Sequence, residues 1–356
     1  MHMADALLSP AVGVTMWTVA GAALAYSCRK ARQELDDRAV PLMGVLGAFV
    51  FAAQLINFTI PGTGSSGHLS GGLLLAVLLG SHGGFLAMAS VLFIQALFFA
   101  DGGLLALGAN IFNLGFFPCF IVYPWLYRRI AAPATAPGRG RLTAGTIVAA
   151  VAALQLGSLA VVLETVFSGR AALSFTSFAL LMQPIHLAIG LVEGAVTAMV
   201  IALVRDARPG VVQRQEQSER EKKIPVMAGR TLVALGVATL LLATVLVRFA
   251  SSLPDGLEWS LARLGGTERI EAAAISADGL HLSLAAVQDK VTVFPDYRLA
   301  TTPDTAGRPA AGTAGEGPAV AAGTSLAGLT GGILTLGVIL LIGLGLRRKQ
   351  GPEREV

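Results

Sequence analysis

Long apolar runs recur from Pro10 to Leu346, and this feature limits what the chain can fold into more than any other. A membrane core roughly 30 Å thick is crossed by a helix of about 20 mostly apolar residues. Hydrophobic residues make up 54% of the 356 positions and charged residues only 13%, whereas a soluble domain has about 25% charged residues. We therefore predict an all-α membrane protein in contact with lipid. We expect no nucleic-acid partner, in spite of a pI of about 9.3.

The apolar runs also predict the domain organisation. Residues 1–205 are predicted to form a seven-helix transmembrane bundle, and residues 206–228 a charged cytoplasmic linker. Residues 229–356 are predicted to be an accessory domain, in which two transmembrane helices flank an extracytoplasmic segment at 252–325. The nine predicted helices lie near 10–27, 41–60, 69–81, 84–100, 106–127, 142–167, 174–204, 229–250 and 326–346.

The basic residues predict the orientation of these helices. Most Lys and Arg residues fall in the segments that are cytoplasmic when the N-terminus lies outside and the C-terminus inside. Short cytoplasmic loops carry an excess of Lys and Arg in membrane proteins. We therefore expect a multi-pass protein of the bacterial cytoplasmic membrane with an extracytoplasmic N-terminus. The stretch before Pro10 has no Lys or Arg, so we expect no signal peptide and no cleavage.

Polar residues at membrane depth are costly and need a functional or structural reason. The chain begins Met1-His2, and a free amine, the next amide nitrogen and the imidazole Nδ1 of that residue can bind one cation together. Three nearly coplanar nitrogens leave one position for a fourth ligand, and His68 in a Gly/Ser-rich outer loop is the best candidate. Such a tetragonal nitrogen set suits Ni(II) or Cu(II), whereas Zn(II) prefers a tetrahedron. By themselves, however, an N-terminal Met-His pair and a loop histidine are more often without a ligand role.

The other histidines and the acidic residues within spans are interpreted as structural. His82 is expected in a short inner turn, His186 in a hydrogen bond within the bundle, and His281 at the surface. Glu164 and Glu193 are expected to anchor contacts between helices.

Several strings together resemble one family. The N-terminal M-H-M-A-D-A-L-L-S-P resembles the start of the nickel/cobalt substrate-capture component of energy-coupling-factor transporters. The loop over 54–72, the Gly/Asn-rich string over 95–115 and H-L-A-I-G-L-V-E-G over 186–194 resemble its further motifs. The resemblance covers residues 1–205, with Ala6 in place of the usual glycine. It implies that the N-terminal amine of Met1, the amide and imidazole of His2, and His68 hold the metal.

The resemblance also implies which residues support these ligands and which partners the chain has. Hydrogen bonds from Gln54, Asn57, Ser66 and Gln95 are expected to orient His68 and the N-terminus. No G-x-x-x-x-G-K-[ST] phosphate loop is present. The chain is therefore expected to be a transport component and no enzyme, working with a transmembrane coupling protein and a pair of cytoplasmic ATPases.

The C-terminal third resembles the small two-helix accessory subunit of these systems, here fused to the capture component. Its L-P-D-G-L-E-W string over 253–259 favours Ni²⁺ as the transported ion, with Co²⁺ as the alternative. No resident cofactor is expected. An unrelated secondary transporter would show paired repeats, and none is convincing. A membrane enzyme would need a nucleophile–base motif, and none stands out.

Overall fold

The computed structural model describes residues 2–34, 40–131, 138–207, 229–266, 279–298 and 318–346. Met1 lies outside these ranges, and so does almost all of the predicted linker at 206–228. The predicted segment 252–325 is described except for residues 267–278 and 299–317.

Helices dominate the described residues, and one short β-hairpin interrupts them. The hairpin pairs β1 (Phe58–Ile60) with β2 (Ser65–Gly67) in antiparallel fashion. Short 3₁₀ helices cover Asp5–Leu7, Leu246–Phe249 and Pro295–Tyr297. The helices are α1 Pro10–Glu34, α2 Val40–Gln54, α3 Gly72–Phe99, α4 Leu107–Ile130, α5 Arg139–Ser168, α6 Phe175–Ala207, α7 Gly229–Thr244, α8 Gly256–Arg263, α9 Gly279–Val291 and α10 Pro318–Leu346. Within α4, the stretch Phe112–Tyr127 is π-helical.

Six of the described helices are long and apolar enough to cross a membrane: α1, α3, α4, α5, α6 and most of α10. Two shorter apolar helices, α2 and Thr231–Thr244 of α7, lie beside them. The prediction of an all-α protein with several membrane helices is confirmed, whereas the arrangement of seven plus two spans stays a prediction.

Two predicted helices, 69–81 and 84–100, form the two halves of α3. Gly80 separates them, with φ 75° and ψ 172°, a backbone conformation that is essentially restricted to glycine. A Cβ atom on Gly84 would lie 2.8 Å from the backbone nitrogen of Ala76. These residues would be about 12 Å apart along a straight helix, so the chain reverses at Gly80 and the two halves of α3 lie against each other.

The predicted helix 41–60 is too long at its C-terminal end. Helix α2 stops at Gln54, and Phe58–Ile60 is strand β1. Pro61 follows the strand, and Gly62 and Gly64 both adopt a φ of 77° in the turn. Proline and glycine therefore end the apolar run as a β-hairpin, because they favour a tight turn over a continued helix.

The two long accessory helices pack directly on the N-terminal bundle. Both α7 and α10 lie against α2, and they also contact each other. Helices α5 and α6 form another extensive pair within the bundle. The β-hairpin, the N-terminal segment and helices α8 and α9 meet at one end of this assembly, where α2 ends and α3 begins.

Candidate metal centre

The N-terminal segment is inserted between the helices at this end of the bundle. The backbone N–H of Met3 donates to Oδ1 of Asn110 at 2.8 Å, and the N–H of Gly103 donates to the Met3 carbonyl at 3.0 Å. Met3 is completely buried. Farther along, Oδ1 of Asp5 accepts a bond from the N–H of Ala106 at 2.9 Å. These bonds hold the start of the chain within the fold and so place His2 inside it.

The imidazoles of His2 and His68 lie face to face. Their ring centroids are 5.2 Å apart and their planes differ by 16°. Burial is the main cause that lowers the pKa of each ring to about 3. Both imidazoles are therefore neutral at physiological pH, and each keeps a nitrogen lone pair that can bind a cation.

The loop that carries His68 is fixed by buried side chains. The carboxylate of Glu193 accepts bonds from the N–H and hydroxyl of Ser70, both at 2.7 Å, and from the N–H of Gly71 at 3.1 Å. The side-chain amide of Gln54 donates to the Ser70 carbonyl at 2.7 Å. Four bonds thus converge on the two residues that follow Leu69, next to His68.

A second group of polar side chains surrounds His2. Its Nδ1 lies 3.3 Å from Oδ1 of Asp101, whose Oδ2 accepts a 2.6 Å bond from the Tyr297 hydroxyl. Burial raises the pKa of Asp101. The side-chain amide of Gln95 donates to Oε1 of Gln54 at 2.7 Å. Nε2 of His2 and Oε1 of Gln95 are buried without a hydrogen-bond partner among the described residues. Such orphaned polar atoms need an explanation, and a water molecule would provide one.

The structure brings several of the predicted site residues together. His2, His68, Gln54 and Gln95 belong to one buried polar region, which agrees with a common site. Met1 lies outside the described residues. The other two supporting residues also contact the accessory segment: the Ser66 hydroxyl donates to the Leu253 carbonyl at 2.7 Å, and the Asn57 carbonyl accepts from the N–H of Ser251 at 2.7 Å. The ligand and support roles stay predictions.

Two family models match the chain. The cobalt uptake substrate-specific transmembrane region, CbiM, matches residues 2–211, and the PDGLE domain matches residues 229–348. The chain belongs to the CbiM family. The resemblance predicted from the N-terminal and C-terminal motifs is therefore confirmed for both parts.

Relatives of known description agree with this assignment. The chain is 37% identical over 217 residues to a Haloquadratum walsbyi protein provisionally named a metal transport protein, a match that covers 60% of this chain and 94% of that one. It is 33% identical over 219 residues to the cobalt transport protein CbiM of Sorangium cellulosum, covering 60% and 95%. A fused nickel transport protein of Rhodobacter capsulatus is 37% identical over 114 residues, covering 32% and 33%.

A solved structure is similar to the CbiM part. It is a crystal structure of a transition metal transporter, with a TM-score of 0.51 and 27% identity, and it covers 62% of this chain and 99% of that chain. The chain is therefore a multi-pass membrane protein of a metal transport family, and it is a transport component and not a catalytic enzyme.

The PDGLE domain makes several polar contacts with the CbiM part near the site. His281 was expected at the surface, and that expectation is wrong. The side chain is buried, and its Nε2 lies 3.0 Å from the Leu8 carbonyl and 3.2 Å from the Asp5 carbonyl. The side-chain amide of Gln288 donates to the carbonyls of Ala96 and Gly102, both at 2.8 Å. Sequence reasoning missed these contacts because the partners are far apart in the chain.

Two of the expected structural roles are confirmed. Nδ1 of His186 lies 2.7 Å from the Met182 carbonyl within α6. Glu164 on α5 accepts a 2.7 Å bond from the side-chain amide of Asn113 on α4. His82 lies two residues after the reversal at Gly80, and it contacts Glu34 of α1, with Nδ1 and Oε2 2.8 Å apart.

The side chains alone do not complete a metal site. No group of three or more His, Cys, Asp or Glu side chains is arranged to hold a metal ion in the part of the chain that the structure describes. A cation bound by His2 and His68 would therefore need further donors.

Proposed function

We propose that this chain is the substrate-capture component of an energy-coupling-factor importer that takes up Ni²⁺, with Co²⁺ as the alternative ion. The ligands in this proposal are the amine of Met1, the amide nitrogen and Nδ1 of His2, and an imidazole nitrogen of His68. The observation that carries the proposal is the pair of neutral, stacked imidazoles of His2 and His68.

The chemistry of this donor set favours nickel. The amine and amide of the first two residues close a five-membered chelate ring, and the amide and Nδ1 of His2 close a six-membered ring. The amide must lose its proton, which requires a strongly polarising ion. Four nitrogens in a plane match the tetragonal preference of Ni(II). The fused nickel transport protein among the relatives supports the same choice.

Capture by this chelate changes the surroundings of His2. Its Nδ1 now lies against Asp101, and it must exchange that contact for the cation. Asn110 and Gly103 hold the Met3 backbone meanwhile, so the segment behind the chelate stays in place. Preorganisation of this kind raises affinity because less conformational freedom is lost on binding.

We infer further that the metal enters from outside a bacterial cytoplasmic membrane, where the N-terminus lies. The chain has no phosphate-binding loop for ATP. Release to the cytoplasm is therefore assigned to a transmembrane coupling protein and a pair of ATPases on separate chains. Lys and Arg residues in the predicted inner segments support this orientation.

Metal content of the purified protein tests the proposal. Two variants are needed, His2→Ala and a short extension before Met1 that removes the free amine. Both should lose stoichiometric Ni²⁺ while keeping the helical circular dichroism of the wild type. His82→Gln is a matched control, because His82 contacts the last residue of the 25-residue helix α1, roughly 38 Å from its start.

Wild-type Ni²⁺ content in either N-terminal variant would refute the ligand set. Competition between Ni²⁺ and Co²⁺ for the same protein decides between the two ions. We expect Ni²⁺ to displace Co²⁺, and preferential retention of Co²⁺ would establish the alternative.

A further inference from the structure

The P-D-G-L-E string of the accessory domain is joined to the loop that carries His68. The N–H of Ser66 donates to the Pro254 carbonyl at 2.8 Å, and Ser66 forms an isolated parallel β-bridge with Asp255. The Ser66 hydroxyl also donates to the Leu253 carbonyl at 2.7 Å. The backbone of the motif is therefore bound to Ser66, which lies two residues before His68.

The next residues of the motif pack into the bundle. A Cβ atom on Gly256 would lie 2.6 Å from Cγ2 of Ile185 and 3.2 Å from Cε1 of His186, so only glycine fits without a shift. Leu257 is 2% exposed and belongs to the same apolar cluster as Met3. These contacts explain why glycine and leucine follow the aspartate, and they fix the position of Asp255.

The carboxylate of Asp255 is oriented by the start of helix α8. Its Oδ1 accepts bonds from the N–H groups of Leu257 and Glu258, both at 2.8 Å, and Glu258 in return accepts a 3.2 Å bond from the N–H of Asp255. This reciprocal pair is a capping box. Asp255 also lines one cavity together with His68, among others. The accessory domain thus presents a carboxylate to the space beside a predicted metal ligand.

Charge balance gives this carboxylate a role. A divalent cation held by two neutral imidazoles, an amine and one deprotonated amide leaves a net charge of +1. A buried charge without a partner is strongly unfavourable. We propose that the Asp255 carboxylate is the counter-charge of the captured cation, so that the PDGLE domain completes the electrostatics of the site without being a ligand. This inference rests on the proposed function.

The other carboxylates near the site are less suited to this role. Glu193 is engaged by Ser70 and Gly71. Asp101 is engaged by the Tyr297 hydroxyl and lies 3.3 Å from Nδ1 of His2.

The substitution Asp255→Asn tests the inference. Asparagine is as good an N-cap as aspartate, so helix α8 and its contacts should remain while the charge is lost. Glu258→Gln is the matched control, because it removes an exposed carboxylate from the same motif. Full-length proteins with the native N-terminus would be titrated with Ni²⁺ against a competing chelator, and the ligand-field absorption of the complexes recorded.

We expect Asp255→Asn to bind Ni²⁺ at least tenfold more weakly, with an unchanged ligand-field spectrum, and Glu258→Gln to stay within twofold of the wild type. Equal binding by the wild type and Asp255→Asn would overturn this inference alone. An equal loss in Glu258→Gln would overturn the inference, because it would assign the effect to the docking of the motif. A shifted ligand-field spectrum of Asp255→Asn would also overturn it, because it would make Asp255 a ligand. A wild type that binds no Ni²⁺ would instead refute the proposed function, and this inference with it.

Discussion

Asn110 is the side chain that holds the N-terminal segment, and its removal should weaken metal capture. Oδ1 accepts the N–H of Met3 at 2.8 Å, and Nδ2 lies 3.3 Å from the Met3 carbonyl. The side chain is 1% exposed and Met3 is fully buried. In Asn110→Ala the Met3 N–H loses its acceptor, whereas the Met3 carbonyl keeps the bond from Gly103.

The size of the effect follows from the one donor left without a partner. A buried donor without an acceptor costs about 1–3 kcal/mol. This cost favours release of the segment, and release takes His2 away from His68. Because each 1.4 kcal/mol corresponds to a factor of about ten, we expect Ni²⁺ affinity to fall by roughly 5- to 150-fold.

Titration with Ni²⁺ in the presence of a competing chelator measures this loss. Asn110→Asp should lose less affinity than Asn110→Ala, since its carboxylate can still accept the Met3 N–H. Gln155→Ala is the control, because it removes a 2.9 Å bond to the Gln183 carbonyl between α5 and α6. Wild-type affinity in Asn110→Ala, or an equal loss in Gln155→Ala, would refute the reasoning.

Three further predictions concern pH, the histidine loop and the accessory motif. Since burial lowers the pKa of His2 and His68 to about 3, both rings stay neutral from about pH 8 to pH 5, and only the amine and amide protons compete with the cation. Ni²⁺ affinity should therefore fall by about a hundredfold per pH unit below pH 7, because two protons compete with each ion. A titration in which four protons compete with each ion would contradict this. Glu193→Gln removes one of the two oxygens that hold the loop, and a chelator titration should show about tenfold weaker binding, whereas unchanged binding would exclude this support. Gly256→Ala places a Cβ atom 2.6 Å from Ile185 at a cost of about 1–3 kcal/mol, so limited proteolysis should cut α8 faster than in the wild type; equal rates would contradict the close approach.

Hydropathy was sufficient to predict the long helices. The expected helices at 142–167 and 174–204 correspond to α5 and α6, with boundaries that differ by a few residues. Their apolar runs are long and continuous, so no local signal competes with the helix. The C-terminal boundary predicted for the helix at 41–60 was wrong, because the turn around Pro61 is short and lies within a similarly apolar stretch.

The site was only partly predictable from the sequence. His2 and His68 stand out as histidines in polar strings next to apolar helices, and the structure stacks them. Asn110 lies in the Gly/Asn-rich string over 95–115, but no sequence signal indicated its backbone partner. The contact between Ser66 and the accessory motif spans 187 residues of sequence, and no periodic pattern predicts such a pairing. The position of Asp255 beside His68 therefore required the fold.

The ligand set of the captured ion tests the central claim most directly. X-ray absorption at the nickel edge, on Ni²⁺-loaded protein with its native N-terminus, reports the number, type and geometry of the bound atoms. We predict four nitrogen ligands in a plane, including the imidazoles of His2 and His68. A six-coordinate, oxygen-rich nickel, or one whose spectrum is unchanged when a residue is added before Met1, would contradict it.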